Sequence, residues 1–400
     1  MSAAPRPPYP AGPPDVVVVG AGMVGAACAL YLARAGLAVT VVDRGPVAGG
    51  TSGAGEGNLL VSDKGPGPEL DLALRSQELW RSLAEEELGA RGESFEYEAK
   101  GGLVVAFTPA DFAALQVFAA TQNEAGVRAE EVPAEQLSEF EPHLAPDVAG
   151  GFWYPQDAQV MPALAAARLL KASGAALRLG SAVTGLLMSD GAVRGVRTTS
   201  GEIPARIVVN AAGLWSGAIA ELAGSALPVQ PRRGFVLVTE PLPPLIRHKV
   251  YSAAYVSDVS SSDAALQSSG VVEGTPSGPV LIGASRERVG LDRTPSYDAL
   301  GRLAGQAAEL FPFLERVAVQ RYYCGFRPYL PDHLSAIGPD AHVAGLYHAA
   351  GHEGAGIGLA PATGELIAAL VTGTKPMVDP EPFRPGRFAD GCGCSEEAAR

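Results

Sequence analysis

Residues 15–43 read DVVVVGAGMVGAACALYLARAGLAVTVVD. The β-branched run Val16–Val19 is typical of a strand that is buried on both faces. A helix rich in alanine and leucine is predicted for Met23–Arg34, and a glycine two residues later is its stop signal. A second apolar run, Ala38–Val42, closes at Asp43. Together these segments predict one βαβ unit, from which open parallel sheets are built.

The loop between the first strand and the helix carries the pattern G-x-G-x-x-G. Gly20 permits a tight turn, Gly22 lets the backbone approach a diphosphate, and Gly25 lets the helix pack close to the strand. The helix N-terminus then faces the phosphates with free N–H groups and a positive dipole end. Asp43 is placed to accept hydrogen bonds from ribose hydroxyls. In this context the pattern favours a bound dinucleotide over an empty glycine turn. It does not distinguish FAD from NAD, because an acid at 43 argues only against a 2′-phosphate.

Composition excludes several classes of function. The chain has 400 residues, of which 47% are hydrophobic, and a formal net charge of −13. A polyanion with no basic cluster repels phosphates, so we expect no nucleic-acid partner.

Four cysteines, two of them crowded at Cys392 and Cys394, form neither a disulfide framework nor a zinc or iron–sulfur pattern, and no metal site is predicted. No apolar run is long enough to span a bilayer, and residues 1–14 lack a signal core, so we expect a disordered leader and cytoplasmic residence.

The rest of the chain alternates between two patterns. Residues 162–209 return to an α/β pattern, with a helix predicted over Pro162–Ala172 and strands that include Val183–Ser189 and Ile203–Val209. From about 228 to 320 the pattern is sheet-like with long loops. A last helix is predicted over Pro361–Thr372, and the tail beyond it is expected to fray. This order predicts a cofactor domain that is interrupted by segments of a second domain.

Four further segments resemble the D-amino-acid oxidase-like flavoproteins, a family that includes glycine oxidase and sarcosine oxidase, and the resemblance covers most of residues 15–375. The four segments are 50–58 (GTSGAGEGN), 208–216 (VVNAAGLWS), 325–338 with its Gly-Phe-Arg-Pro start, and 351–358 (GHEGAGIG). The sequences of residues 57–64 and 351–358 are similar to those of the flavin subunits of hydroxyproline-type dehydrogenases and of hydrogen cyanide synthase.

The resemblance implies a fold and a cofactor. The expected fold class is α/β, with a Rossmann-type FAD-binding domain interleaved with an α+β substrate domain built on an antiparallel sheet. The FAD-binding domain is expected at 15–90, 155–227 and 322–376, the substrate domain at 91–154 and 228–321, and a flexible tail at 377–400. Non-covalent FAD is expected, because the sarcosine oxidase attachment pattern would place a cysteine at Gly325, whereas this chain has Cys324. The expected cofactor-binding residues are Gly20, Gly22, Met23, Val24, Gly25, Asp43, Arg44, Thr51, Ser52, Gly57, Asn58, Val183, Ala212, Gly213, Gly351, Glu353, Gly354, Ala355, Gly356 and Ile357.

The same resemblance suggests a substrate site. Arg327 matches the position at which the family holds the substrate carboxylate, and an arginine fork binds a carboxylate with two hydrogen bonds. A structural arginine paired with a local acid such as Asp332 is the alternative. Tyr251 and Tyr255 match a tyrosine pair of the family's pocket, although two ordinary sheet tyrosines are as compatible with the spacing. His352 is a candidate for a hydrogen bond near the flavin or for a purely structural histidine.

The resulting expectation is an FAD-dependent enzyme that oxidises the C–N bond of a small amino or imino acid by hydride transfer to flavin. D-Hydroxyproline, D-proline, glycine and sarcosine-like compounds are the candidate substrates, with cyclic imino acids favoured by the subgroup resemblance. Two alternatives stay open at this point. One is a flavin subunit that is inactive without an iron–sulfur or second flavin subunit, and the other is an NAD-dependent dehydrogenase.

Overall fold

A computed structural model describes residues 12–91, 94–254 and 263–388. These residues form two compact units. The first contains the described residues up to Gly53, then Pro162–Gln230, and then the chain from Pro328 onward. The second contains Ala54–Met161 and Pro231–Arg327. Most of the predicted leader, together with Tyr255, Cys392 and Cys394, lies outside the described residues.

The first unit is built on a six-stranded sheet whose strand order is β18-β19-β12-β1-β2-β8. All neighbouring pairs are parallel except β18 with β19. The strands, numbered in chain order, are β1 (Val16–Val19), β2 (Val39–Val42), β8 (Ala176–Arg178), β12 (Ile207–Asn210), β18 (Ala336–Pro339) and β19 (Leu346–Ala350). The predicted first strand is confirmed residue for residue, because four consecutive valines buried on both faces favour only an interior strand.

Helices α1 (Met23–Arg34), α5 (Pro162–Ser173), α6 (Ser216–Glu221) and α8 (Gly356–Thr372) complete the first unit. Helices α1 and α8 approach closely at Gly364, where a side chain would overlap the backbone of Ala27. The prediction that the last helix begins at Pro361 was wrong, since Pro361 lies inside α8. The glycines of residues 354–358 concealed the first turn of the helix.

A three-stranded antiparallel sheet of β9 (Val183–Ser189), β10 (Ala192–Thr198) and β11 (Gly201–Pro204) also belongs to the first unit. The prediction of one strand over Ile203–Val209 was wrong. Pro204 ends β11, and Ile207 opens β12 in the parallel sheet. The division is explained by proline, which cannot donate to a strand ladder.

The second unit contains an eight-stranded sheet with the order β17-β13-β16-β15-β14-β4-β6-β5. Antiparallel pairs predominate, as predicted, while β14 and β4 are parallel. Its strands are β4 (Gly102–Ala106), β5 (Glu130–Pro133), β6 (Gly150–Tyr154), β13 (Gln230–Thr239), β14 (Lys249–Ser252), β15 (Gln267–Gly274), β16 (Val280–Arg286) and β17 (Val319–Tyr329). A separate short pair joins β3 (Asn58–Leu59) to β7 (Ala158–Gln159).

Helices α2 (Pro68–Arg81), α3 (Pro109–Glu124), α4 (Leu137–Phe140) and α7 (Tyr297–Leu310) belong to the second unit. Helix α7 packs through Leu303, Ala307 and Leu310 against one face of the large sheet, where Val250, Val272 and their neighbours form the core. The sequence pattern missed α7 and predicted only strands and loops there. Its four buried positions are three or four residues apart, which is the spacing that identifies an amphipathic helix.

The observed units differ from the predicted domain bounds in several places. Residues 155–161 and 322–327, which include Asp157 and Arg327, lie in the second unit, and residues 228–230 lie in the first. Residues 54–90 lie in the second unit, because β3 pairs with β7 and the buried Asp157 carboxylate accepts the N–H of Val61 at 2.8 Å. The start of the predicted flexible tail, residues 377–388, is packed instead. Phe383 is fully buried there, and Arg387 Nε donates to Asp332 Oδ2 at 2.6 Å.

Candidate active site

The glycine turn lies where β1 ends and α1 begins. Gly20 has a φ of +114°, and a side chain there would overlap the carbonyl oxygen of Ala211. A side chain at Gly25 would overlap the carbonyl oxygen of Gly20, so the helix can approach the strand this closely only without one. Gly22 is the N-cap residue of α1 and provides no capping side chain. Gly20 and Gly25 are therefore required by the packing of the turn, while the approach of a diphosphate to Gly22 stays a prediction.

The N-terminal end of α1 is suited to an anion. The first turn of the helix contains no acidic residue, so nothing on the helix neutralises its positive end. Met23 N donates to Ser52 Oγ at 2.9 Å, which brings the short 3₁₀ helix at Thr51–Ala54 beside the glycine turn. The start of the helix thus favours a diphosphate at a place that also carries the Ser52 hydroxyl.

Asp43, at the end of β2, ties the turn together. Its Oδ2 accepts the N–H of Ala21 and its Oδ1 accepts the N–H of Gly45, both at 2.7 Å. Each carboxylate oxygen has a second lone pair with which to accept a ribose hydroxyl. The N–H of Ser181 donates to the Asp43 carbonyl at 2.8 Å, which brings the chain that leads to Val183 and β9 beside the same strand end.

Arg44, which follows Asp43, is held in place by stacking on an aromatic ring. The guanidinium of Arg44 lies 3.5 Å from the ring centroid of Trp215, a cation–π contact. Trp215 belongs to the turn after β12 that contains the predicted residues Ala212 and Gly213. Because β1 and β12 are parallel, the turns that follow them lie at the same edge of the sheet.

A buried polar network that the sequence did not predict supports this edge. Asn210 Nδ2 donates to the Ser216 carbonyl at 2.9 Å and lies 3.1 Å from His348 Nδ1. His348 Nε2 lies 2.8 Å from Asp340 Oδ2, and hydrogen bonds from His348 and the backbone hold the pKa of Asp340 well below its usual range despite burial. Asn210 and His348 lie on the neighbouring strands β12 and β19, Asp340 directly follows β18, and no local motif joins them.

The glycine-rich loop at 351–355 follows β19 at the same edge. Gly351 has a φ of +74°, and a side chain there would overlap Leu330. Glu353 also adopts a positive φ of +46°, its N–H donates to the Pro328 carbonyl, and its Oε2 lies 3.0 Å from His333 Nδ1. The N-cap of α8 is Ala355, without a side-chain cap, and the first turn of α8 contains no acid. The arrangement repeats that of α1, with an uncapped helix N-terminus after a glycine turn. Gly354, Gly356 and Ile357 lie in this turn and the start of α8.

His352 is buried rather than exposed at this loop. Its Nε2 lies 3.0 Å from Thr363 Oγ1 in α8, and its side chain is 4% exposed. Burial lowers the pKa of His352 to about 4, so the ring is neutral at physiological pH. The contact anchors the loop to the helix, and any role in chemistry must be that of a neutral imidazole.

In the second unit, the large sheet has one apolar and one polar face. Val250, Val272, Ile282 and Leu237 point toward the α7 core, so their neighbours along each strand point the other way. Cys324 also packs against the core, which leaves alternate residues of β17 on the opposite face. The side chains on that opposite face, called the polar face below, include Lys249, Tyr251, Glu273, Tyr323 and Arg327.

Residues 54–62 cross the polar face, and glycines make room for them. A side chain at Gly325 would overlap the Ala54 side chain, and one at Gly283 would overlap Glu56 Oε1. Asn58 Oδ1 accepts a hydrogen bond from Lys249 Nζ, which also pairs with Glu273. Gly57 and Asn58, which we predicted to bind the cofactor, are thus part of this crossing segment.

Arg327 and Tyr251 both lie on the polar face. Arg327 Nη1 donates to the Ser285 carbonyl at 2.8 Å and lies over Gly234, where a side chain would overlap the guanidinium. Asp332, the acid considered as its structural partner, pairs with Arg387 instead. Tyr251 is fully buried and its hydroxyl is hydrogen bonded to Ser62 Oγ.

Asp157 supports Tyr251 from behind and was missed by the sequence reasoning. Its carboxylate accepts hydrogen bonds from the N–H groups of Val61 and Ser62 and from Ser62 Oγ. Burial raises the pKa of Asp157 to about 7, although these hydrogen bonds act in the opposite direction. An isolated aspartate after Tyr-Pro-Gln reads as a surface turn in the sequence, so no signal indicated its burial.

Comparison with known proteins identifies the family. A family model described as "DAO: FAD dependent oxidoreductase" matches residues 15–370. The chain belongs to this family. Glycine oxidase from Pseudomonas putida is 32% identical over 93% of this chain and 98% of its own length. Hydrogen cyanide synthase subunit HcnC from Pseudomonas aeruginosa is 29% identical over 94% and 96%. The crystal structure of L-proline dehydrogenase from P. horikoshii has a TM-score of 0.84 and 27% identity, and the match covers 94% of this chain and 98% of that one.

Membership in the DAO family makes this chain an FAD-dependent oxidoreductase and selects FAD over the nicotinamide alternative. The first unit fits FAD on its own geometry. The glycine turn at α1 admits only backbone, and two helices of that unit begin without acidic or capping side chains. Among the described residues, no helix is long and apolar enough to cross a membrane. Those residues also contain no group of three or more side chains that could hold a metal ion.

Proposed function

We propose that this protein oxidises the C–N bond of a small amino or imino acid. D-Hydroxyproline, D-proline, glycine and sarcosine-like compounds are the candidate substrates. The observation that carries the proposal is Arg327, whose guanidinium lies on the polar face over Gly234, where only a glycine leaves space for it. FAD, when bound, supplies an acceptor for a hydride from the substrate α carbon. The names of the relatives, glycine oxidase and L-proline dehydrogenase, support this class of substrate.

The residues of the first unit would hold FAD non-covalently. The α1 turn would bind the diphosphate through the backbone of Gly20, Gly22, Met23, Val24 and Gly25, assisted by Thr51 and Ser52. Asp43 would accept the ribose hydroxyls, and Arg44, Val183, Ala212 and Gly213 would contact the nucleotide. The loop and first turn at Gly351, Glu353, Gly354, Ala355, Gly356 and Ile357 would place a positive helix end beside the electron-rich part of the flavin ring.

On the polar face, Arg327 would bind the substrate carboxylate through two charge-assisted hydrogen bonds. Tyr251, which is fully buried with its hydroxyl bonded to Ser62 Oγ, would support the polar face from behind rather than contact the substrate. Tyr255 stays a prediction, since it lies outside the described residues. His352 would act only in its neutral form, as a ring that positions the 351–355 loop.

Anaerobic bleaching of the flavin absorbance by a panel of glycine, sarcosine, D-proline and D-hydroxyproline tests the proposal. We expect at least one compound to reduce the bound flavin. The Arg327→Ala variant should retain FAD but bind that compound at least about tenfold more weakly, because each of the two charge-assisted hydrogen bonds contributes about 1.5–3 kcal/mol. Arg316→Ala is the matched control, since Arg316 is exposed and its loss changes the net charge equally. Unchanged affinity in Arg327→Ala would refute the assigned role.

A second candidate is a flavin subunit that delivers electrons to a partner subunit. The observation that favours it is the similarity to HcnC, which is named as a subunit and matches nearly end to end. An iron–sulfur or second flavin protein would then be the electron acceptor. Rapid flavin reduction followed by slow oxygen uptake would support this candidate, and rapid oxygen consumption by the isolated chain would exclude it.

Residence in the cytoplasm stays a prediction.

A further inference from the structure

The polar face carries a buried carboxylate whose role the proposed function leaves open. Glu56 is 8% exposed, and its Oε1 has no hydrogen-bond partner among the described residues. Its Oε2 receives only a long hydrogen bond, 3.4 Å, from Asn58 Nδ2. Buried polar atoms are nearly always hydrogen bonded, and an unpaired buried charge is strongly disfavoured. A carboxylate kept in such a position is better explained by a ligand than by folding.

The cations nearest to Glu56 are already engaged. Lys249 is paired with Glu273 and also donates to Asn58, and Arg327 donates to the Ser285 carbonyl. Burial raises the pKa of Glu56, Lys249 and Arg327 act to lower it, and the nearby Glu273 acts with burial. The neighbouring charges therefore leave Glu56 without full compensation, and a cationic or N–H-bearing group is the missing complement.

Glu56 and Arg327 lie over the same face of the sheet. Glu56 Oε1 abuts Gly283 of β16, and the Arg327 guanidinium abuts Gly234 of the neighbouring β13. Both glycines make room for the charged groups, since a side chain at either would overlap them. The face therefore presents a carboxylate, Glu56, and a guanidinium, Arg327, side by side. This charge pattern is complementary to the ammonium and carboxylate of an amino acid.

We propose that Glu56 binds the nitrogen of the substrate while Arg327 binds its carboxylate, so that Glu56 selects amines over the corresponding oxygen compounds. This inference rests on the proposed function. The nitrogen of an α-amino or cyclic imino acid donates an N–H to the Glu56 carboxylate, whereas an ether or hydroxyl oxygen at the same place brings no positive charge. Such a charge-assisted hydrogen bond corresponds to a preference of at least about tenfold.

Three matched pairs of compounds test it, each with nitrogen replaced by oxygen: D-proline with tetrahydrofuran-2-carboxylate, glycine with glycolate, and sarcosine with methoxyacetate. Affinity for the nitrogen compound comes from the concentration dependence of anaerobic flavin reduction, and affinity for the oxygen compound from the change in the flavin spectrum. In the wild type we expect the nitrogen member of the reactive pair to bind at least about tenfold more tightly. Glu56→Gln should reduce that preference to about twofold or less, with FAD content unchanged and affinity for the oxygen member preserved.

Two further variants separate recognition from folding. Arg327→Lys should weaken both members of the pair equally, because both carry the carboxylate. Glu141→Gln removes another fully buried carboxylate of the same unit, one that accepts the N–H groups of Arg247 and His248, and should lower stability while keeping the preference for nitrogen. A Glu56→Gln protein that keeps the wild-type preference would overturn the role of Glu56 and leave the proposed function standing. If no nitrogen compound bleaches the wild-type flavin, the proposed function and this inference both fail.

Discussion

Replacement of Asp157 by asparagine should make the stability of the protein less dependent on pH. Asp157 is fully buried, and burial raises its pKa from 3.8 to about 7. The folded state therefore holds the proton more tightly than the unfolded state does. The stability that this provides is complete below about pH 4 and is lost as the pH rises through about 7. Asparagine preserves the shape, since its oxygen can accept from Val61 and Ser62 and its amide can donate to Ser62 Oγ, but it does not titrate.

The size of the effect follows from the shift. A pKa of about 7 against 3.8 corresponds to about 4 kcal/mol over the whole range, of which about 2.5 kcal/mol falls between about pH 5 and about pH 8. Urea unfolding of the wild type and of Asp157→Asn, both with saturating FAD, gives the free energy of unfolding at each pH. The difference between the two proteins removes contributions from the other titrating groups. A difference that stays constant within about 0.5 kcal/mol across this range would show that Asp157 is ionised in the folded state.

Two other substitutions test the first unit. Gly25→Ala should lower the ratio of bound FAD to protein and destabilise the fold by about 1–3 kcal/mol or more, because the new methyl group would overlap the Gly20 carbonyl. The control is Gly301→Ala, in the open interior of α7, which should be neutral or stabilising. Equal visible absorbance and equal thermal melting of the two variants would contradict the argument. His352→Gln should make the free energy of unfolding less sensitive to acid. The pKa of His352 in the folded state, about 4, lies below the ordinary 6.5, so about 3 kcal/mol of stability is lost as the pH falls from about 6.5 to about 4. Parallel pH–stability curves for the variant and the wild type would count against this prediction.

Local patterns in the sequence predicted the N-terminal βαβ unit well. Strand β1, helix α1 and the glycine turn are each defined by residues within one short stretch, and four valines followed by a spaced set of glycines allow few alternatives. The errors came from elements that depend on distant partners. Pro204 divides a run that looks continuous, and Gly356 begins a helix whose first turn is rich in glycine. Packing against another helix or strand decides such cases, and the sequence pattern does not contain it.

The candidate site divides in the same way. Gly20 and Gly351 were predictable as glycine positions, because their positive φ values favour glycine. The buried network of Asn210, His348 and Asp340 was not predictable. Asn210 and His348 are more than 100 residues apart in the sequence, and only the order of the strands in the sheet brings them together. Glu56 was overlooked inside a recognised glycine-rich segment, where its neighbours drew the interpretation toward the cofactor.

The two faces of the large sheet in the second unit show how stability and chemistry are separated. One face buries valines, leucines and isoleucines against α7 and carries the hydrophobic stabilisation. The other face buries Asp157, Glu56 and Lys249, and burial opposes the charge on such groups, as the raised pKa values of both acids indicate. Folding alone would favour apolar residues at these positions, since replacing buried ion pairs by hydrophobic groups is often neutral or stabilising. That this face nevertheless keeps ionisable residues is the physical argument for its binding a charged ligand, and it predicts that an apolar replacement of Glu56, whose Oε1 has no hydrogen-bond partner among the described residues, will raise stability and lower substrate affinity together.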